Sequence, residues 1–148
     1  MTTEERNDYF FDVVNPRLNE LARRICEASA MDDQVLGQVR HQKLAEYYTE
    51  ETRRGYWHPS LTETLADFTA IHDAAAALPQ YKLALKQAEE LDLDSYSILI
   101  SMAAACAECG QKEQAIALLC DGRNQAEEAG DKRAIKQADE IAREFLGS

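Results

Sequence analysis

The chain has 148 residues, of which 45% are hydrophobic and 29% are charged, a composition that suits one globular domain folding without metal or disulfide. Its 16 basic and 27 acidic residues leave a net charge of −11, which disfavours nucleic acid and anionic lipid surfaces as partners. Because only three Pro and six Gly are present, the sequence predicts a single all-α domain over residues 1–148.

The acidic excess is greater in the C-terminal part of the chain. Residues 1–60 hold eight basic and eleven acidic side chains, whereas residues 61–148 hold eight and sixteen. The first residues are polar and acidic, unlike a signal peptide, and the longest apolar stretch, residues 98–107, is shorter than the about 20 residues of a membrane span. The four cysteines lie in helical patterns, which is typical of reduced thiols. These features predict a cytoplasmic protein with no membrane association.

Residues 1–55 are predicted to form an N-terminal helical hairpin. Thr2 and Glu5 make a capping box that starts the first helix. Pro16 interrupts its pattern, so the chain either restarts or kinks there. A second helix is predicted from Asp32 to about Thr52. The segment 53–59 (RRGYWHP) then combines a Gly stop with a Pro, which separates the hairpin from residues 60–148.

Five further helices are predicted after this break. A capping box at Ser60 starts a helix whose apolar face continues to residue 78, and Pro79 is expected to open the next. Gly110 and Gly130 are expected to end the two helices over residues 95–109 and 111–129. Asp131 is placed to cap a last helix that reaches about residue 145.

The C-terminal part of the chain contains a short repeated sequence. The sequence QAEEL at residues 87–91 returns as QAEEA at residues 125–129, an offset of 38, and such self-similarity is typical of stacked helical hairpins. One hairpin in particular resembles a tetratricopeptide repeat (TPR). The residues that carry the resemblance are Leu99, Met102, Ala103, Cys106, Gly110, Ala115, Leu119 and Gly122.

The resemblance covers about residues 61–148 and implies a right-handed TPR-like stack with a C-terminal capping helix. Its small residues, Ala103 and Ala115, would lie at the closest approach of two helices. The copy upstream is degenerate, because a shift of 31 residues places His72 on Ala103 and Pro79 on Gly110. We therefore expect hairpins that differ in turn length.

The resemblance implies a groove lined by the first helix of each hairpin, and hence a non-enzymatic protein-binding module. Asp73 and Glu108 would favour a basic or amphipathic peptide, and the small Ala104 would leave room for its side chain. The alternative is a structural bundle that uses this face to form a homodimer. The residues placed in the groove are Thr69, Asp73, Ala76, Ser97, Ile100, Ala104 and Glu108.

Aromatic residues in the break before the third helix form a second candidate surface. Tyr56 and Trp57 either anchor a partner or, as we prefer, plug the first hairpin, because such side chains bury large areas while keeping a polar end. His72 falls on the apolar face of its predicted helix and is expected to be buried.

Cys106 and Cys109 form the one motif with reactive potential, a pair of thiols three residues apart. A thiol- or metal-dependent protein is the third alternative. The pair falls at a predicted helix C-terminus, where the dipole disfavours a thiolate, and no second pair supplies further zinc ligands. We predict that both pack as small hydrophobic residues, with no metal, no cofactor and no catalytic site.

Overall fold

The computed structural model describes residues 1–147 and is all-α. Over this span the chain forms seven helices that account for 84% of the protein, and neighbouring helices pack antiparallel as sequential hairpins. None of these helices is long and apolar enough to cross a membrane. The helices are α1 over residues 3–30, α2 (Gln34–Arg53), α3 (Pro59–His72), α4 (Ala74–Glu90), α5 (Tyr96–Glu108), α6 (Lys112–Ala129) and α7 (Lys132–Phe145).

Helix α1 passes Pro16 without a break. The predicted capping box is present, since the backbone N–H groups of Thr2 and Glu5 each donate to the other's side chain at 3.1 Å. The helix is α-helical at Thr3–Tyr9, widens into a π-turn at Phe10–Val14 and is α-helical again at Asn15–Ala30. Proline has no N–H to donate to the carbonyl four residues back. The wider turn accommodates this loss inside one helix.

The start of α2 lies one residue later than predicted. The side chain of Asp33, not Asp32, accepts the N–H of Leu36 at 2.9 Å. Asp32 instead has a φ of 54°, the left-handed conformation that ends a helix. The N–H of Asp33 then bonds to the carbonyl of Ala28 at 3.0 Å, which closes α1.

The predicted start of a helix at Pro79 is wrong. Helix α3 ends at His72, and Asp73 caps α4 by accepting the N–H of Ala76 at 3.0 Å. Pro79 therefore lies inside α4. A side-chain acceptor at Asp73 fixes the helix start, and a proline in the second turn removes one further backbone hydrogen bond.

The chain divides into two compact units, and the boundary falls inside α3 between Leu65 and Ala66. In unit 1, residues 1–65, helix α1 packs against α2. One face of α1 supplies most of the buried apolar side chains of this helix pair, as expected for an amphipathic helix. The buried apolar residues of α1 and α2 are Phe10, Val14, Leu18, Leu21, Ile25, Ala28 and Leu44.

Unit 2, from residue 66 onward, has a core rich in alanine. Helix α5 packs against α4, α6 and also α7, and α6 packs against α7. Gly122 of α6 marks a close approach to α5, because a Cβ atom there would lie 2.9 Å from Cγ1 of Ile100. Ala103 and Ala115, predicted to form the closest pair, are both buried but belong to different core clusters. Gly110 and Gly130 end α5 and α6 with positive φ as predicted.

Candidate functional site

A concave groove of about 250 Å³ lies in unit 2. Three alternate helices, α3, α5 and α7, line it together with one side chain of α4. We call this surface the concave groove. Its lining residues are Asp67, Ala70, Ile71, Tyr81, Ser101, Ala104, Ala105, Glu108 and Gln137.

Helix α5 forms the middle of the concave groove. Ser101, Ala104 and Glu108 lie on one face of this helix because they are spaced by three or four residues. The small side chain of Ala104, with that of Ala70 on α3, leaves the space that gives the groove its depth. Ile71 on α3 adds an apolar side chain that is 67% exposed, so the lining offers both apolar and acidic contacts.

Asp67 is the most constrained polar group of the groove. The phenol of Tyr81 donates to its Oδ1 at 2.5 Å, and the Ser101 hydroxyl also bonds to it. The pKa of the Asp67 carboxyl is raised above its ordinary value because the surrounding protein partly desolvates it, although both hydrogen bonds act to lower it. The residue is nevertheless solvent-accessible, as expected for a group inside an open concavity.

Glu108 provides a second carboxylate in the same groove. It lies two turns beyond Ser101 on α5 and is exposed. Among the described lining residues there is no Lys or Arg. The concave groove therefore presents two acidic side chains over small and apolar ones, an arrangement that favours a cation.

Ala104 and Glu108, both predicted as groove residues, line the concave groove. Ile100 does not, because it is fully buried in the core cluster that includes Leu119 and Ala138. Its prediction as a groove residue is corrected by the close packing of α5 on α6 at Gly122.

The other predicted residues lie outside the lining. Thr69 on α3 and Ser97 in the first turn of α5 are partly exposed. Asp73 is the N-cap of α4, and Ala76 is exposed in the first turn of that helix. The prediction that Asp73 and Ala76 lie on the first helix of a hairpin is wrong, because α3 ends at His72.

Four polar lining residues were not predicted from the sequence: Asp67, Tyr81, Ser101 and Gln137. The error on α3 is one of rotation, since Thr69 is about 200° around a helix from Asp67. His72, expected to be buried, is exposed. Tyr81 lies on α4, the second helix of its hairpin, whereas the resemblance implies a groove lined by first helices. No local motif distinguishes Gln137.

The aromatic segment of unit 1 forms an internal cluster. Tyr56 is buried, and its hydroxyl donates to the carbonyl of Arg6 at 2.9 Å. The Arg6 guanidinium lies 4.1 Å from the centroid of the Trp57 ring and donates to the Trp57 carbonyl at 2.8 Å. Trp57 remains partly exposed. The polar end of Tyr56 is therefore used inside the hairpin, as the plug interpretation predicts.

His58 is buried beside this cluster and plays a structural role. Its ring stacks on Phe10 with centroids 4.3 Å apart. Nδ1 accepts the N–H of Ser60 at 3.1 Å, so the proton of the neutral ring belongs on Nε2, which lies 2.9 Å from Oδ1 of Asn7. Burial, with a smaller contribution from Arg6, lowers the pKa of His58 to about 4.

The two cysteines of the pair lie at the C-terminal end of α5, where Cys106 is buried and Cys109 is partly exposed. Cys106 is buried in the core cluster with Met102 and Ala115, and burial raises the pKa of its thiol. All four cysteines are free thiols. Within residues 1–147 no group of three His, Cys, Asp or Glu side chains is placed to hold a metal ion.

Comparison with known proteins returns no match: no family model, no curated protein and no solved structure is significantly similar to the chain.

Proposed function

We propose that the chain is a non-enzymatic protein-binding module whose C-terminal helices form a TPR-like array. The contact of α5 with both α6 and α7 supports this interpretation, because stacked hairpins require each first helix to touch the next first helix. The hydroxyl of Tyr96 at the start of α5 also donates to Asp131, the N-cap of α7, at 2.7 Å. Alternate helices line the concave groove, as the resemblance implies for a binding surface.

The proposed ligand is a basic or amphipathic peptide that places a Lys or Arg side chain in the concave groove. The observation that carries this proposal is the presence of two carboxylates, Asp67 and Glu108, in a groove without a lining cation. Ala70 and Ala104 leave room for the aliphatic stem of such a side chain. The net charge of −11 would speed association with a basic partner and oppose association with nucleic acid.

A cytoplasmic setting completes the proposal. Cys26 and Cys120 are exposed free thiols, and a reducing compartment keeps such groups from forming disulfides.

Selection of a random peptide library displayed on phage tests the proposed function. We expect the enriched peptides to share a Lys or Arg, and their affinity to fall about tenfold in Asp67→Asn and in Glu108→Gln, since each removes one charge from the contact. Asp67→Asn keeps an oxygen that accepts from Tyr81. Glu128→Gln, at an exposed acidic residue of α6, is the matched control and should bind normally. Equal affinity in all three variants would contradict the proposal.

A further inference from the structure

The hydrogen bonds that Asp67 already makes restrict the cation that the concave groove can hold. An ionised carboxylate accepts about four hydrogen bonds, about two at each oxygen. In this groove the Tyr81 phenol donates to Oδ1 at 2.5 Å, and the Ser101 hydroxyl donates to the same carboxylate. Tyr81 is 2% exposed and belongs to the core cluster with Ala77 and Ala84, so a ligand does not displace it. Oδ1 is therefore an acceptor that the protein has partly used.

The two basic side chains use a carboxylate differently. Arginine pairs best when its planar guanidinium donates two parallel N–H bonds, one to each carboxylate oxygen. At Asp67 one of those bonds competes with the phenol of Tyr81 for Oδ1. Lysine carries a compact ammonium with three donors on a flexible stem, and a single bond to Oδ2 satisfies its contact with this carboxylate. Asp67 is therefore better suited to Lys than to Arg.

Single acceptors on the other helices of the groove also match an ammonium. Glu108 of α5 and Gln137 of α7 line the same groove as Asp67 of α3. One carboxylate or amide oxygen from each of these helices matches the three donors of an ammonium. Glu108 is exposed, so water screens its pair with either cation and it discriminates little between them. The discrimination therefore arises at Asp67.

We propose that the concave groove selects Lys over Arg and that Tyr81 sets this selectivity by occupying Oδ1 of Asp67. This inference rests on the proposed function, because it requires a basic peptide in the groove. It also requires an unmodified lysine. Trimethylation keeps the positive charge but removes the three N–H donors, and a quaternary ammonium is recognised by a cage of aromatic faces. Tyr81 is the one aromatic side chain among the described lining residues.

Fluorescence anisotropy with three versions of one phage-selected peptide tests the selectivity. The versions carry Lys, Arg or trimethyl-Lys at the basic position and are otherwise identical. The Lys version should bind at least about fivefold more tightly than either of the others, since each of those loses a hydrogen bond to a charged group. Equal or tighter binding of either would overturn the selectivity and leave the proposed function standing. If no version binds, or if Asp67→Asn and Glu108→Gln both bind the Lys version normally, the proposed function is contradicted as well.

Tyr81→Phe tests the role of the phenol. The variant keeps the ring and frees Oδ1 of Asp67, so the ratio of the Lys and Arg affinities should fall toward one. A ratio measured on one variant does not depend on how much of that protein is folded. Tyr96→Phe is the matched control, because it removes a phenol that donates to Asp131, outside the groove lining, and its ratio should equal that of the wild-type chain. An unchanged ratio in Tyr81→Phe, or an equal fall in both variants, would overturn the proposal.

Discussion

The two units of this chain fix their helices by different means. Among residues 1–147, unit 1 holds three of the four buried polar side chains, Glu51, His58 and Thr62, and unit 2 holds the fourth, Gln87. Directional hydrogen bonds hold the aromatic segment of unit 1 in place. Unit 2 relies on fully buried alanines and on the close approach at Gly122. Unit 1 should therefore be sensitive to protonation and unit 2 to added volume.

The largest expected effect comes from filling the space at Gly122. Gly122→Leu should destabilise the protein by about 3 kcal/mol, because even a Cβ atom there meets Ile100 at 2.9 Å and Leu99 at 3.1 Å. Urea unfolding measures the change. Ala117→Leu, at an exposed position of the same helix, is the control and should change stability little. Similar losses in both variants would mean that α5 and α6 are not closely packed.

Acid should weaken unit 1 through His58. An exposed imidazole has a pKa of about 6.5, whereas burial lowers the pKa of His58 to about 4. Between these values the unfolded chain binds more protons, so the contribution is fully present above about pH 6.5 and is lost as the pH falls toward 4. We expect a loss of about 2 kcal/mol between pH 7 and pH 4.5, allowing for partial screening by solvent.

The control for this pH effect is His58→Asn, which keeps an acceptor for the N–H of Ser60 but does not titrate in this range. Its stability should depend less on pH than that of the wild-type chain, by the same about 2 kcal/mol. Identical pH dependence in the two proteins would contradict the prediction, because it would show that folding does not lower the pKa of His58.

The smallest expected effect concerns the hydrogen bond inside the concave groove. Tyr81→Phe should cost about 1 kcal/mol and raise the pKa of Asp67 further, because the Tyr81 hydroxyl lowers it. Carbon-detected NMR titration of the side-chain carboxyls follows this pKa. Tyr96→Phe makes the same chemical change at Asp131, whose pKa the Tyr96 hydroxyl lowers. That variant should leave Asp67 unchanged, and a shift of equal size at Asp67 in both would contradict the local account.

Local signals in the sequence predicted the helices better than the site. The capping box of Thr2 and the stops at Gly110 and Gly130 depend on neighbouring residues alone, and the structure confirms them. The boundary between α3 and α4 was predicted wrongly because two start signals lie close together there. The helix begins after the cap at Asp73 and not at Pro79.

The concave groove depends on helix rotation, which local patterns do not determine. Ile71 looks like a core residue by spacing but is 67% exposed. Thr69 was placed in the groove by the TPR resemblance, and it lies about 200° around the helix from Asp67. The lining by Tyr81 and Gln137 follows from packing between helices distant in sequence. Of the residues predicted on α5, Ala104 and Glu108 line the concave groove, whereas Ser97 and Ile100 do not.

Mapping by NMR of where a selected basic peptide binds tests the proposed concave groove most directly. A ¹⁵N-labelled chain titrated with a peptide from the phage selection should show its largest amide shift changes at Ala70, Ser101, Ala104 and Glu108. The same titration with Glu108→Gln should need about ten times more peptide to reach the same change. Largest changes at Trp57, with the concave groove unaffected, would contradict the account.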